Sequence, residues 1–373
     1  MSALPIFSSR DFFFRAATKR DDAEIRSLLR ENPMDSWIQA SVEREPSYFE
    51  KCTPKRASVT VVARRSSTPQ ELIGMYRCDF FPVHLDGGAG EAAYLGGLRV
   101  APEYRHRIRL LREGFRSIPA LVPGVKRVPL IFTSLAEENT RARRLLEKGL
   151  QEMPIYRKIA DMETFAVGTG QGRPAGLLEK AGVGDAPAVA EFYNRTMASV
   201  RLSPVLDVRW LTSSPQNGNA PIENFWLHRS GGNIAACIAV WDQRAFKQIV
   251  IRGYKQPLLF LRPFYNIAAA LTGAQKLPPV GGRLEQVFLS FAAFAKTAED
   301  KALAVVREAL FRAGEAGASS ALMGIVPGHL CYGTLRKSLR PRIYRTCIET
   351  VELPGLAVPD IGKNLVQPEV ALL

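Results

Sequence analysis

Ile25, Leu28 and Leu29 recur on one face of the charged stretch "RDDAEIRSLLRE", and this spacing predicts an amphipathic helix over 20–31. Thr18, with Asp21 three residues on, supplies a start signal of the capping-box type. A strand near Ile6 or Phe14 precedes it, and apolar runs predict strands at 58–65, 71–83 and 91–100. A helix over 106–121, a strand over 128–134, a helix over 138–149 and a strand over 155–167 complete the first half.

The same order then returns. In "LLEKAGVGDAPAVAEFYNR", Asp185 takes the place of Asp21, and Val189, Phe192 and Tyr193 those of Ile25, Leu28 and Leu29. A strand at 176–180 and a helix at 185–199 lead to strands at 224–229, 233–242, 246–254 and 284–295. A helix at 299–315, a strand at 319–326, a helix at 329–339 and a strand at 343–353 follow. "PIYRKIADMETF" (154–165) and "RIYRTCIETVEL" (342–353) close the two sets alike, which argues for a duplicated unit. The glycine-rich "AVGTGQGRPAG" marks the join. The expected organisation is 1–167, a linker 168–176, a second unit 177–355 and a tail 356–373. An apolar insertion near 255–282 reads as a buried helix with flanking loops, either packing between the units or closing over a cleft.

Composition narrows the class. The 373 residues are 46% hydrophobic and 23% charged, as in a globular protein long enough for two cores. The longest apolar runs are too short or, at Arg262, interrupted, so no membrane span is expected. The start lacks a signal-peptide pattern, which points to the cytoplasm. Five cysteines without a C-x-x-C pair and four scattered histidines indicate neither a disulfide framework nor a bound metal. The net charge of +14 raises nucleic acid, acidic lipid or a polyphosphate as ligands. No nucleic-acid motif accompanies "RHRIR", "RARR" or "LRKSLRPRIYR", so nucleic acid is disfavoured.

"RVAPEYRHRIRLL" (99–111) carries the most specific chemistry. A strand turns at Pro102 into an arginine-rich helix start, where free N–H groups and the helix dipole favour an anion. With the element order around it, "LGGLRVAPEYRHRIRLLREGFR" resembles the cofactor motif of the GNAT superfamily of acetyl-CoA-dependent N-acyltransferases, and residues 10–355 look like two such domains in tandem. Leu98, Val100, Pro102, Tyr104 and Arg105 match, whereas both loop glycines are missing. "FTSLAEENTRARRLLEKGL" resembles the second motif at Asn139 and Ala142, with Leu146 where the family has a tyrosine acid.

The resemblance implies an α/β fold: a mixed, mostly antiparallel sheet flanked by helices in each unit. It also implies acetyl-CoA or another acyl-CoA as co-substrate and a small amine or a peptide as acceptor. Backbone contacts would come from Leu98, Arg99 and Val100, and phosphate contacts from Arg105, His106, Arg107 and Arg109, with Asn139 nearby. Arginine side chains can replace loop amides in charge. An acid would be Tyr94 or Tyr156, and a base Glu91 or Asp79. The same arginines recur at helical spacing and also read as a solvated stripe. The second unit, with "FAKTAEDK" after its central strand, is expected to bind CoA poorly. His329, Cys331 and Tyr332 open its last helix, near where the family's general acid would lie, and read first as caps or core residues. A degenerate, non-catalytic binding protein is the competing reading.

Overall fold

The computed structural model describes residues 5–34, 36–49, 57–86, 88–146, 149–213, 219–272, 276–355, 362 and 364–373. Cys52, residues 147–148 of the expected helix 138–149, 273–275 of the expected insertion, and 356–361 and 363 of the expected tail fall outside these residues.

The first half runs β1 (Ile6–Ser8), β2 (Phe12–Ala16), α1 (Asp22–Glu31), β3 (Ile38–Glu43), β4 (Ala57–Arg65), β5 (Leu72–Leu85) and β6 (Gly88–Val100). It continues through α2 (Ile108–Leu121), β7 (Leu130–Ala136), α3 (Thr140–Leu146) and β8 (Ile155–Gly168). The second half runs β9 (Glu179–Lys180), α4 (Ala186–Met197), α5 (Val208–Thr212), β10 (Phe225–Ser230), β11 (Asn233–Trp241), β12 (Gln248–Tyr254) and α6 (Gln256–Thr272). Then come β13 (Gln286–Phe294), α7 (Ala302–Glu315), β14 (Ser320–Ile325), α8 (Tyr332–Leu339) and β15 (Arg342–Glu352). The predicted capping box is present: the Thr18 N–H donates to Asp21, whose carboxylate is also held by Arg15 and Arg64.

A single 13-stranded sheet runs β1-β2-β4-β5-β6-β7-β15-β8-β14-β13-β11-β10-β9. It is antiparallel except where β6 meets β7 and β13 meets β14. The closing strands of the halves are exchanged: β15 inserts beside β7, and β8 beside β14. The repeated Ile-Tyr-Arg strands therefore pair with one another about the centre of the sheet. Segment 168–176 joins the halves without separating one sheet from another. Gly172 lies so close to α7 that an added Cβ would come within 2.4 Å of the Phe311 nitrogen.

Three cores follow. α1 and α2 cover one face of the first half with Ile25, Leu28, Leu110, Phe115 and Ile118. α7 and α8 do the same for the second. The largest core is shared, joining Phe81, Tyr94 and Phe132 to Val189, Phe192, Trp241 and Phe291.

Two expectations are corrected. The strand expected at 246–254 leaves the main sheet and pairs with β3, a strand that the mixed polar sequence around Ile38 did not announce. The insertion does form a helix, but α6 is exposed rather than buried, with Ala269 its one buried position among the described residues. Leu258 and Ala269 face inward, whereas Phe260, Leu261, Phe264, Ile267 and Leu271 are exposed.

Candidate active site

β6 and β7 pair in parallel at Ala92↔Leu130, Ala93↔Ile131 and Tyr94↔Phe132, and among the described residues no further pair joins them. Beyond that point β6 runs on to Val100 and β7 to Ala136, so a wedge opens between them. Side chains bridge its base. Tyr94 and Ser134 hydroxyls are 2.7 Å apart, and Thr133 Oγ1 donates to the Leu95 carbonyl at 2.7 Å. On its other side β6 carries a bulge against β5, with the register shifting between Met75 and Arg77. Gly97 there has φ of 63°, a left-handed conformation that glycine adopts without a Cβ penalty. Such a bulge re-aims its residues and leaves one out of the ladder.

Gly96 is required for a different reason. A Cβ at this position would lie 2.5 Å from the ring of Tyr94, which leans across it. The ring is buried against Phe132, with centroids 5.3 Å apart. Burial raises the phenol's pKa above its ordinary value, while the Ser134 hydrogen bond and the Arg77 charge pull the other way.

Charged groups line the sheet beside Tyr94. Its cross-strand partner is Asp79, which takes a hydrogen bond from Ser58 Oγ at 2.6 Å and an ion pair from Arg77 Nε at 2.6 Å. Both Asp79 and Arg77 are buried, an arrangement that only pairing makes tolerable. Lys247, in the turn before β12, donates from Nζ to the Leu373 carbonyl at 3.0 Å and stands 5.4 Å from the centre of the Phe288 ring. Burial, then the charges of Arg44 and Arg77, bring its pKa down from 10.5 to about 7. An amine so placed exchanges protons near neutrality.

The turn that follows β6 is built without glycine. Pro102–Tyr104 form one 3₁₀ turn, and the Tyr104 hydroxyl donates to Glu71 at 2.8 Å. The N-cap residue of α2, Arg107, makes no side-chain capping hydrogen bond to the helix start. Arg105, His106, Arg107 and Arg109 are exposed around it, with Arg105 held by Asn32 at 2.5 Å and Arg109 by Asp11 at 2.8 Å. Leu98 is exposed on the wedge arm, and Arg99 and Val100 are half-buried. Burial lowers the Arg99 pKa, with Tyr94 and Tyr48 opposing and Arg105 adding to the fall.

The other named residues lie elsewhere. Glu91 is exposed at the start of β6, before the strands part. Tyr156 packs on the α2 side, its ring 6.3 Å from that of Phe115, away from Tyr94. Asn139 caps α3, its Oδ1 accepting from the Ala142 N–H at 3.2 Å. Leu146 is buried in the first-half core. In the second half, Cys331 is a core residue and the Tyr332 hydroxyl donates to Glu163 at 2.8 Å. Arg77, Ser134 and Lys247 were not identified from sequence. The alternation of Arg77 and Asp79 on the apolar strand "LIGMYRCDFFPVHL" was the available signal for the first.

The second half has a matching wedge, since among the described residues β13 and β14 pair from Gln286↔Ser320 to Phe288↔Leu322 and no further. A bulge again adjoins it, with Phe291 at φ of 51°. This wedge is filled by the chain itself. Glu369 accepts from the Phe291 N–H at 2.8 Å, Gln367 accepts from the Val326 N–H at 3.2 Å, and Val370 packs on Gly324. Burial raises the Glu369 pKa, against the hydrogen bonds it receives.

The architecture as a whole, with a parallel pair diverging at each half's centre, is that of a tandem GNAT-like fold. Solved structures bear this out. The N-myristoyltransferase of Saccharomyces cerevisiae with bound myristoyl-CoA matches with a TM-score of 0.60 at 10% identity, over 94% of this chain and 85% of that one. A structure of that yeast enzyme with myristoyl-CoA and inhibitors gives 0.56 at 10% identity, over 97% and 87%. A GCN5-related N-acetyltransferase from Sphaerobacter thermophilus gives 0.53 at 13% identity, over 94% and 98%. At these identities the likeness is one of fold. No family model matches the sequence, and neither does any curated protein.

Proposed function

We propose that this protein is an acyl-CoA-dependent N-acyltransferase that takes its acyl donor in the first wedge. The observation that carries this reading is the contrast between the wedges: one is open beside an uncapped, arginine-rimmed helix start, and the other is filled by residues 367–370. The pantetheine arm would lie along Leu98–Val100, as an added strand lies on a free edge. Its pyrophosphate would meet the α2 N-terminus and the side chains of Arg105, His106, Arg107 and Arg109. That N-myristoyltransferase is solved with myristoyl-CoA supports an acyl-CoA donor.

In the reaction an amine attacks the thioester carbonyl carbon, the C–N bond forms and the C–S bond breaks. The amine's proton passes to a base and the departing thiolate takes a proton from an acid. Tyr94, at the point of divergence and kept protonated by burial, is the acid. Lys247, neutral above about 7, is the base. Asp79 and Arg77 position Tyr94 from the neighbouring strand.

The acceptor is a small amine or a peptide amine. Incubation with acetyl- to myristoyl-CoA and an amine panel, followed by thiol release, tests the proposal. Turnover with at least one pair is expected. Tight acyl-CoA binding without turnover would leave a ligand-binding protein, the reading that the missing turn glycines favour.

A further inference from the structure

The helix α6 is built with its apolar side outward. Helices of globular proteins turn their apolar stripe to the core. Here Leu258, Arg262, Asn266 and Ala269 face inward, whereas Phe260 is 69% exposed, Phe264 71% and Leu271 84%. Leu261 and Ile267 extend the same face.

Polar contacts fix this orientation. Arg262 Nε and Asn266 Nδ2 each donate to the Leu277 carbonyl at 3.0 Å, and the Asn266 carbonyl accepts from the Leu277 N–H at 2.8 Å. The Arg262 guanidinium also stands 6.0 Å over the Tyr254 ring. The side chains that could have been buried are thus held away from the protein by bonds specific to the opposite face.

The charge around the helix selects what covers it. Between Lys255 and Arg283 the sequence holds Lys255, Arg262, Lys276 and Arg283 and no acidic residue, in a chain of net charge +14. A second copy would bring the same positive face to it, whereas an anionic lipid surface complements it. Among the described residues no helix is long and apolar enough to cross a membrane, so the helix would lie in the interface plane. Trp37, 58% exposed, adjoins its start, with the Lys255 N–H donating to the Trp37 carbonyl at 3.1 Å. Tryptophan is a residue favoured at headgroup depth.

We infer that α6 docks the protein peripherally on an anionic lipid surface, with Phe260, Phe264 and Leu271 entering the acyl boundary. This inference is independent of the acyltransferase reading.

The test is flotation of the full chain with phosphatidylcholine vesicles and with phosphatidylcholine–phosphatidylglycerol vesicles, at low and high salt. Binding to the anionic vesicles at least about tenfold tighter than to the neutral ones, and weakened by salt, is expected. The double variant Phe260→Ser/Phe264→Ser should lose that binding while its circular-dichroism melt is unchanged, since both side chains are exposed. Lys276→Glu/Arg283→Glu should weaken it without touching the apolar face. Failure of the wild type to bind anionic vesicles would overturn the inference, as would full binding by the serine double variant. A wild-type dimer that the serine variant dissolves would assign the face to self-association instead, and overturn it equally.

Discussion

Tyr94 on β6 and Ser134 on β7 share a hydrogen bond of 2.7 Å across the place where the two strands cease to pair. The bond closes the base of the wedge, and in the proposed reaction the phenol it holds is the acid for the departing thiolate. Tyr94→Phe keeps the packing against Phe132 and removes only the hydroxyl. It should lower kcat about a hundredfold while acyl-CoA affinity, read by calorimetry, stays within about twofold. An unchanged kcat would remove Tyr94 from the chemistry.

Gly96 makes that arrangement possible. Gly96→Ala would drive a methyl group into the Tyr94 ring, so the ring must rotate off its site. The variant should lose about 1–3 kcal/mol of stability through overpacking and should lose activity as Tyr94→Phe does. Denaturant melts with turnover assays separate the two effects. Full activity would show that the ring's place over Gly96 is immaterial.

Lys247 sets the expected pH dependence. With the folded pKa near 7, the rate should rise with pH through about 7 and level off above it, and Lys247→Met should abolish that limb. The stability consequence has a definite sign. The folded value lies below the ordinary 10.5, so between these limits the unfolded chain binds more protons. This group's contribution to stability therefore grows as pH rises from 7 to 10.5 and is lost as pH falls. Lys247→Met should flatten the melting temperature across that window relative to wild type.

The basic turn predicts a salt-dependent affinity. Arg107 is exposed and borders the uncapped start of α2. Arg107→Ala should weaken CoA binding about tenfold at low salt, from loss of a charge-assisted hydrogen bond, and less as salt rises. Arg109→Ala should cost less, because Arg109 is already engaged by Asp11. Equal affinities for wild type and Arg107→Ala would place the pyrophosphate elsewhere.

Much of the fold was legible because strand and helix periods are strong along most of the chain. The repeated Ile-Tyr-Arg strands announced the duplication. Their exchange between halves was not legible, since a strand's pattern shows which face is buried and not which neighbour it pairs with. α6 misled for a similar reason: its hydrophobicity implied burial, yet the contacts that orient it come from Arg262 and Asn266. At the candidate site, the turn at 99–111 and Tyr94 could be singled out from the sequence. Lys247 was not, because nothing local marks a lysine whose surroundings come from Arg44, Arg77 and Phe288, all distant in the chain.

Hydrogen–deuterium exchange with and without acyl-CoA tests the central claim most directly. Slowed exchange over Leu95–Arg109, with Leu289–Phe294 unchanged, is the result that an open first wedge and a filled second one require. Protection at Leu289–Phe294, or none at Leu95–Arg109, would contradict it.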